Sequence, residues 1–239
     1  FEAYVVGGCV RDSILGRCPE DWDITTSARP EQVKALFRRT IDTGIQHGTV
    51  TVMLDKEGFE VTTYRVDGKY EDSRHPKEVT FTPNLEEDLK RRDFTINAMA
   101  YSAEEGLIDP FGGRDDLAAH LVRAVGEPER RFEEDALRIL RLYRFAARFG
   151  FAIDPPTAQA AQELCAHLDC VSVERIEEEL AKLLSAPAPA AYLDKKILLV
   201  ILPELSSEAL AAAKPVVDAC PAGAENLSIR LAALLYSLG

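Results

Sequence analysis

Apolar and polar positions alternate in several short stretches of the first half of the chain, the pattern of half-buried strands. Ala3-Tyr4-Val5-Val6, apolar throughout, reads as a short strand and ends in Gly7-Gly8. Trp22 to Thr26, Val50 to Leu54 and Phe59 to Arg65 read as further strands, the last two joined by the polar turn Asp55-Lys56-Glu57-Gly58. Helices are expected from Cys9 to Leu15 and from Glu31 to Arg39, with Pro30 suited to the first turn of the second. Asp67 to Pro83 is polar with little periodicity, a mobile loop interrupted by a short strand at Val79 to Phe81.

After Asp109-Pro110-Phe111-Gly112-Gly113 the pattern changes. Ala, Leu, Glu and Arg dominate to about Leu184, and apolar positions recur at helical spacing. Pro187 and Pro189 mark a break before another helical segment. The expected organisation is α+β: a small mixed β-sheet with helices over 1–118, a helical region over 119–186, and a further helical part over 187–239. The chain opens at Phe1 without a Met, and the apolar helical pattern runs up to Gly239, so a piece of a longer protein is expected.

Composition narrows the class. Of 239 residues 46% are hydrophobic and 28% charged, ordinary for a globular protein, and no apolar run approaches a membrane span. No signal-peptide pattern opens the chain. Cys9, Cys18, Cys165, Cys170 and Cys220 are odd in number and scattered, which fits a reducing, cytoplasmic setting and not a structural zinc site. The net charge of −12 argues by itself against a nucleic-acid partner. Local clusters at Arg91-Arg92 and from Arg123 to Arg148 oppose that objection, because binding depends on the local field.

Two constellations carry candidate chemistry. Asp21 and Asp23 are two apart; on a strand both side chains leave one face, while Trp22 points to the other and can be buried. Paired carboxylates are hard oxygen ligands suited to Mg²⁺, and two such ions can clamp an in-line phosphoryl displacement. An isolated Asp-x-Asp is more often a solvated turn. Gly7-Gly8 before it changes the balance, since glycines between strand and helix let backbone N–H groups approach phosphate, with Arg11 one turn on. Glu60 stands near the start of its strand; an antiparallel neighbour would place it beside the aspartates as a third ligand or a base, and an exposed strand carboxylate is the equal alternative.

The second constellation is Glu134-Asp135 through Arg144, expected as one helix. Ile139, Leu140, Tyr143, Ala146 and Ala147 share a face, and Asp135, Arg138, Arg141 and Arg144 recur every three residues on the other side. Spacing alone favours a salt-bridged amphipathic helix. Leu142, Phe145 and Phe149 fall among the polar positions, which suits a protein-lined pocket. A carboxylate accepts and a guanidinium donates, so an Asp135–Arg138 pair matches the amine and ring nitrogen of cytosine and adenine and mismatches guanine and uracil.

Together these residues resemble the bacterial-type class II tRNA nucleotidyltransferase (CCA-adding enzyme) and poly(A) polymerase family of the polymerase-β-like superfamily. Gly7-Gly8-Cys9-Val10-Arg11-Asp12 with Asp21-Trp22-Asp23 is similar to its first motif, and Arg91-Arg92-Asp93-Phe94-Thr95-Ile96-Asn97-Ala98 to its second. Asp109 to Gly113 resembles the head-to-neck hinge, Glu134 to Arg141 the base-reading motif, and Ser172 to Ile176 the following neck helix. The resemblance implies a nucleotidyltransferase head, an all-helical neck and the start of a helical body, with most of the body and tail absent. It implies that Asp21 and Asp23 bind Mg²⁺. Gly7, Gly8, Arg11, Arg92, Asp93 and Asn97 would hold the nucleotide, Asp135 and Arg138 would read its base, and Arg141 and Arg144 would complete the pocket. Its implied partners are the tRNA 3′ end, CTP and ATP, with no membrane and no evident protein partner. Glu71-Asp72-Ser73-Arg74-His75-Pro76 occupies the place of the family's flexible loop, which favours complete CCA or A addition over CC alone. Poly(A) polymerase or partial A- or CC-adding activity is the alternative within the family. A catalytically silent RNA-binding module is the alternative outside it.

Overall fold

The computed structural model describes residues 1–68 and 79–236. The chain divides into two compact units, the first reaching Ala119 and the second starting at His120; Glu71 to Pro76 lies outside the described residues.

The first unit is built on strands β1 (Ala3–Val6), β2 (Asp23–Thr26), β3 (Thr40–Gly44), β4 (Thr49–Leu54), β5 (Glu57–Thr63), β6 (Arg65–Asp67), β7 (Val79–Phe81), β8 (Ala100–Ser102) and β9 (Gly106–Ile108). Among the described residues seven of these form one sheet in the order β3-β4-β5-β2-β1-β8-β9, and β6 pairs with β7. Only the β2–β5 neighbours in that sheet run parallel. The β4–β5 hairpin turns on Asp55 and Lys56 alone, Asp55 taking a φ of 54°, so Glu57 and Gly58 belong to the strand.

Helices α1 (Gly8–Ile14), α2 (Pro30–Leu36), α3 (Leu85–Lys90) and α4 (Gly113–Ala118) complete the unit. The second helix thus stops before Phe37, and the residues expected to finish it lead instead into β3. Strand alternation splits the core between the two faces of the sheet. Tyr4, Val6 and Ala100 pack with Tyr64, Leu89 and Phe111 on one face. Ala28 and Val33 of the α2 region cover Ile24, Val52 and Val61 on the other. Asp109 to Gly113 belongs to this unit. The Asp109 carboxylate accepts from Gly113 N at 2.7 Å and Arg114 N at 2.8 Å. A Cβ on Gly113 would lie 2.2 Å from the Thr95 carbonyl oxygen, so only glycine permits the approach.

The second unit contains α5 (Pro128–Glu134), α6 (Leu137–Phe149), α7 (Pro155–Glu163), α8 (Val173–Leu184), α9 (Lys195–Ile201), α10 (Ser207–Ala219) and α11 (Leu227–Leu235). Among the described residues its strands are one short parallel pair, β10 (Leu121–Val122) with β11 (Ala152–Ile153). Leu137, Ile139, Leu140, Leu142, Tyr143 and Phe145 of α6 are all buried, and Gly150 ends the helix in the left-handed conformation. Arg230 of α11 is 1% exposed. Its guanidinium donates to the carbonyls of Leu184 and Ala186 at the end of α8 and to Cys220 O, a cation placed where unpaired helix carbonyls collect. No described helix is long and apolar enough to cross a membrane.

Candidate active site

The last residue of β1 and the first turn of α1 are joined at Gly7, which takes φ 78° and ψ −126°. This conformation is open to glycine and strained for other residues. Space makes a second demand, because a Cβ there would lie 3.0 Å from Arg92 Nη1. Gly7 N donates to Met99 O at 3.1 Å, tying the turn to the segment that carries the second motif.

That segment positions Arg11. The Arg11 guanidinium donates to Asp12 Oδ1 at 2.8 Å and to Asn97 Oδ1. Asn97 Nδ2 donates to Asp93 Oδ1 at 3.0 Å, and Phe94 N donates to the same oxygen at 2.8 Å. Arg11, Asp93 and Asn97 are therefore buried members of one polar network.

Asp23 opens β2 and Asp21 lies two residues before it. Both line a cleft of about 750 Å³ with Glu20, Trp22, Thr51, Glu57, Phe59 and Glu60. Among the described residues no side-chain hydrogen bond or ion pair engages either carboxylate. Partial burial pushes the Asp23 pKa up; Arg92 opposes the shift and the like charge of Asp21 adds to it. A pair of under-compensated carboxylates, one of them already reluctant to ionise, is a donor set that fits a hard divalent cation.

Three expectations are corrected here. Glu60 stands beside Asp23 through a parallel pairing, Asp23 opposite Glu60, and not through an antiparallel neighbour. Asp21, Asp23 and Glu60 do not gather into a preformed three-ligand set; no such group occurs among the described residues. Trp22 is 42% exposed, because the strand starts after it and the sheet does not cover it.

Sequence reasoning missed Asp88, hidden in the acidic first turn of α3. It is fully buried. Its carboxylate meets Arg91 at 2.9 Å and Arg92 at 3.5 Å, and accepts from Thr25 Oγ1 at 3.1 Å and Arg65 N at 3.2 Å. Burial alone would raise its pKa; the two guanidiniums and the N–H donors outweigh this and hold it below the ordinary carboxylate range. Asp88 thus anchors Arg92 beside Asp23. Burial lowers the Arg92 pKa, against which Asp88 and Asp23 favour the charged form.

In the second unit the expected single helix is broken. Asp135 has extended backbone, with φ −149°, between α5 and α6. The physical reason is capping: Asp135 Oδ1 accepts from Leu137 N at 3.1 Å and its carbonyl from Arg138 N at 3.0 Å. Its other oxygen accepts from Arg175 Nη2 at 2.8 Å. Arg138 donates to Glu134 Oε2 at 2.9 Å and to Arg131 O at 3.1 Å. Asp135 and Arg138 are neighbours, each held by a partner of its own. Glu179 of α8, also buried, lies 3.0 Å from Arg144 and 3.7 Å from Arg141. Arg144 and Arg141 further sit over the Phe145 ring, at 4.1 and 5.4 Å from its centroid. Arg175 and Glu179, four apart on one face of α8, were also missed. The detectable signal was an opposite-charge pair at helical spacing inside an amphipathic segment.

Comparison with known proteins adds to this geometry. Residues 3–123 match the family described as poly A polymerase head domain, and residues 150–208 match one described as a probable RNA- and SrmB-binding site of polymerase A. The CCA-adding enzyme of Lactobacillus helveticus is 54% identical over 183 residues, which is 77% of this chain and 46% of that protein. The crystal structure of the Bacillus stearothermophilus CCA-adding enzyme in complex with CTP superposes with a TM-score of 0.76 at 38% identity, covering 99% of this chain and 66% of that one. A tRNA nucleotidyltransferase complexed with a primer tRNA and an incoming ATP analog gives a TM-score of 0.77 at 29% identity, covering 99% and 72%. The chain spans about half the length of the curated relatives it matches.

Proposed function

The chain belongs to the poly A polymerase head-domain family, and from that premise we propose that it adds the 3′-terminal C, C and A to tRNA from CTP and ATP without a nucleic-acid template. The observation that carries the reading is the Asp21–Asp23 pair, which lines an open cleft with no side-chain hydrogen bond or ion pair among the described residues, Asp23 lying within the field of Arg92. Similarity to proteins named CCA-adding enzymes supports CCA as the product. The work is assigned to the cytoplasm.

In this reading Asp21 and Asp23 hold Mg²⁺, and a two-ion arrangement suits the chemistry. The bound cation supplies charge neutralisation for the phosphates and makes the RNA 3′-hydroxyl easier to ionise. The 3′ oxygen of the RNA forms a bond to the α-phosphorus of the nucleotide, the bond to the β-phosphate oxygen breaks, and pyrophosphate leaves. Arg92, anchored by Asp88, faces the developing charge, and Gly7 leaves it room. Glu60, across from Asp23, takes the hydroxyl proton. Arg11, Asp93 and Asn97 keep the Gly7-Gly8 turn in place.

Asp135 and Arg138 choose the base. A carboxylate has about four acceptor sites, and Leu137 N and Arg175 each take one at Asp135, leaving acceptor capacity for an exocyclic amine. Arg138 donates to a ring nitrogen, in exchange with Glu134. Arg175 acts through Asp135, and Glu179 acts through Arg141 and Arg144, as positioning residues. Incubating full-length protein with tRNA ending before CCA, with CTP and ATP separately and together, tests the product. Long A tails would favour the poly(A) reading.

A further inference from the structure

Behind the nucleotide-holding residues of the first unit stands a buried acid that the chemistry above leaves without a task. Asp116 of α4 is 7% exposed and accepts from Thr95 Oγ1 at 2.6 Å, Thr95 itself being 2% exposed. A hydroxyl donating to a carboxylate at this separation makes a charge-assisted bond, stronger than one between neutral groups. Thr95 opens a single 3-10 turn, Thr95–Asn97, whose three residues are all buried. Its backbone bonds run from Asn97 N to Phe94 O and from Ala98 N to Thr95 O, each at 2.9 Å. Hydrogen-bond geometry in such a turn is poorer than in an α-helix, so its shape depends on what it is tied to.

α4 is what it is tied to. Gly113 lies against the Thr95 carbonyl, and a Cβ there would also come within 3.0 Å of Met99 Cγ. The segment 95–99 in turn carries the catalytic turn at two points. Asn97 Oδ1 accepts from the Arg11 guanidinium, and Met99 O accepts from Gly7 N at 3.1 Å. Gly7 packs against Arg92 Nη1 with no room for a Cβ. Thr is β-branched and stiff about its first side-chain torsion. Holding the Thr95 hydroxyl therefore fixes the Thr95 backbone as well, and a rotation there would swing Asn97, two residues on, away from Arg11.

We propose that Asp116 is a positioning residue for nucleotidyl transfer: acting through Thr95, it sets the turn that aims Asn97 at Arg11 and keeps the Gly7 turn against Arg92. A buried carboxylate is a costly way to fill space, and what it supplies here that an apolar side chain does not is direction. The inference rests on the nucleotidyl-transfer reading above and deepens it, since it names what holds Asn97.

The test uses full-length protein with Mg²⁺ and tRNA ending before CCA, each variant being assayed well below its melting temperature. Thr95→Val keeps the β-branched shape and removes the hydroxyl. It is expected to lower kcat/KM for CTP and for ATP alike by about tenfold. Selectivity against UTP should stay at the wild-type value, because Asp135 and Arg138 are untouched. Thr95→Ser keeps the donor and should restore most of the rate. Asp116→Asn keeps a neutral acceptor and should cost about threefold. A second arm separates positioning from stability. In an Asn97→Ala background Thr95→Val should lower kcat/KM by about twofold at most, because the residue it acts through is gone. Equal losses in the two backgrounds, or wild-type kcat/KM in Thr95→Val, overturn the positioning role while wild-type protein extends tRNA. Should Thr95→Val fail to fold, Asp116→Asn decides by the same comparison. Wild-type protein that incorporates neither nucleotide overturns the parent reading and this one with it.

Discussion

The two units handle charge in opposite ways. In the first, Asp21 and Asp23 face a cleft with no side-chain partner among the described residues, and burial raises the Asp23 pKa. In the second, Asp135 meets Arg175, Arg138 meets Glu134, and Arg144 meets Glu179. Carboxylates exposed side by side at a cleft, only partly offset by a nearby guanidinium, leave oxygens available to an external cation. Paired charges are already fixed in direction, which is what discrimination between hydrogen-bond patterns requires. The contrast also exists within the first unit, where Asp88 is saturated by Arg91, Arg92 and backbone N–H and serves as an anchor.

The sharpest break of this comparison is Asp23→Asn. It should lower nucleotidyl transfer by about a thousandfold while leaving the melting temperature in metal-free buffer unchanged or higher, since a carboxylate with no partner is removed. Steady-state incorporation of CMP into tRNA together with thermal melting reads both; retained turnover contradicts the metal assignment. Glu179→Ala should do the reverse. It leaves Arg141 and Arg144 without their buried counter-charge, and loss of about 3 kcal/mol is expected in urea unfolding.

A smaller effect separates holding from reading. Asp135→Ala removes the acceptor for the exocyclic amine and should relax discrimination against UTP and GTP by about tenfold. Arg175→Ala should relax it less, because the carboxylate remains and only its direction is freed. Competition between CTP and UTP at fixed total concentration measures this, and equal selectivity in the wild type and Asp135→Ala would remove Asp135 from base reading.

The smallest expected effect is in the pH dependence of stability. Asp88 has a depressed folded pKa, so its contribution is complete above the ordinary carboxylate value and is lost as pH falls through the folded one. Asp23 has a raised folded pKa, so the folded state takes up its proton first and gains stability as pH falls through that value. Metal-free unfolding curves from pH 7 down should show a flatter acid limb in Asp88→Asn and a steeper one in Asp23→Asn. Parallel limbs would contradict the assigned shifts.

What the sequence discloses follows the range of the forces involved. The strand alternation expected to align Asp21 with Asp23 does not extend to Asp21, since β2 begins at Asp23, whereas the Gly7-Gly8 turn is legible because local backbone geometry acts over a few residues. The buried face of α6 is legible for the same reason, Ile139, Leu140, Tyr143, Ala146 and Ala147 being buried at helical spacing. β3, β8 and β9 are not, since strands of three to five residues carry too few positions to show a period and exist through the neighbours they pair with. The break at Asp135 is hidden because helical periodicity continues through it; a capping carboxylate and Arg175, forty residues away, decide the backbone. Trp22 reads as a core residue from its type, but β2 begins one residue too late to cover it. Asp88 looks like an ordinary first-turn acid beside Glu86 and Glu87, and only the tertiary fold brings Arg65 N and Thr25 to it.

The central claim is that unpaired carboxylates in one unit drive transfer while paired charges in the other choose C and A. The most direct test is stepwise extension, by full-length protein with Mg²⁺, of tRNA ending before CCA. The account predicts two C additions with CTP alone, one further A when ATP is supplied, and no product once EDTA removes the metal. Long A tails from ATP, or incorporation of UTP and GTP as readily as CTP and ATP, would contradict it.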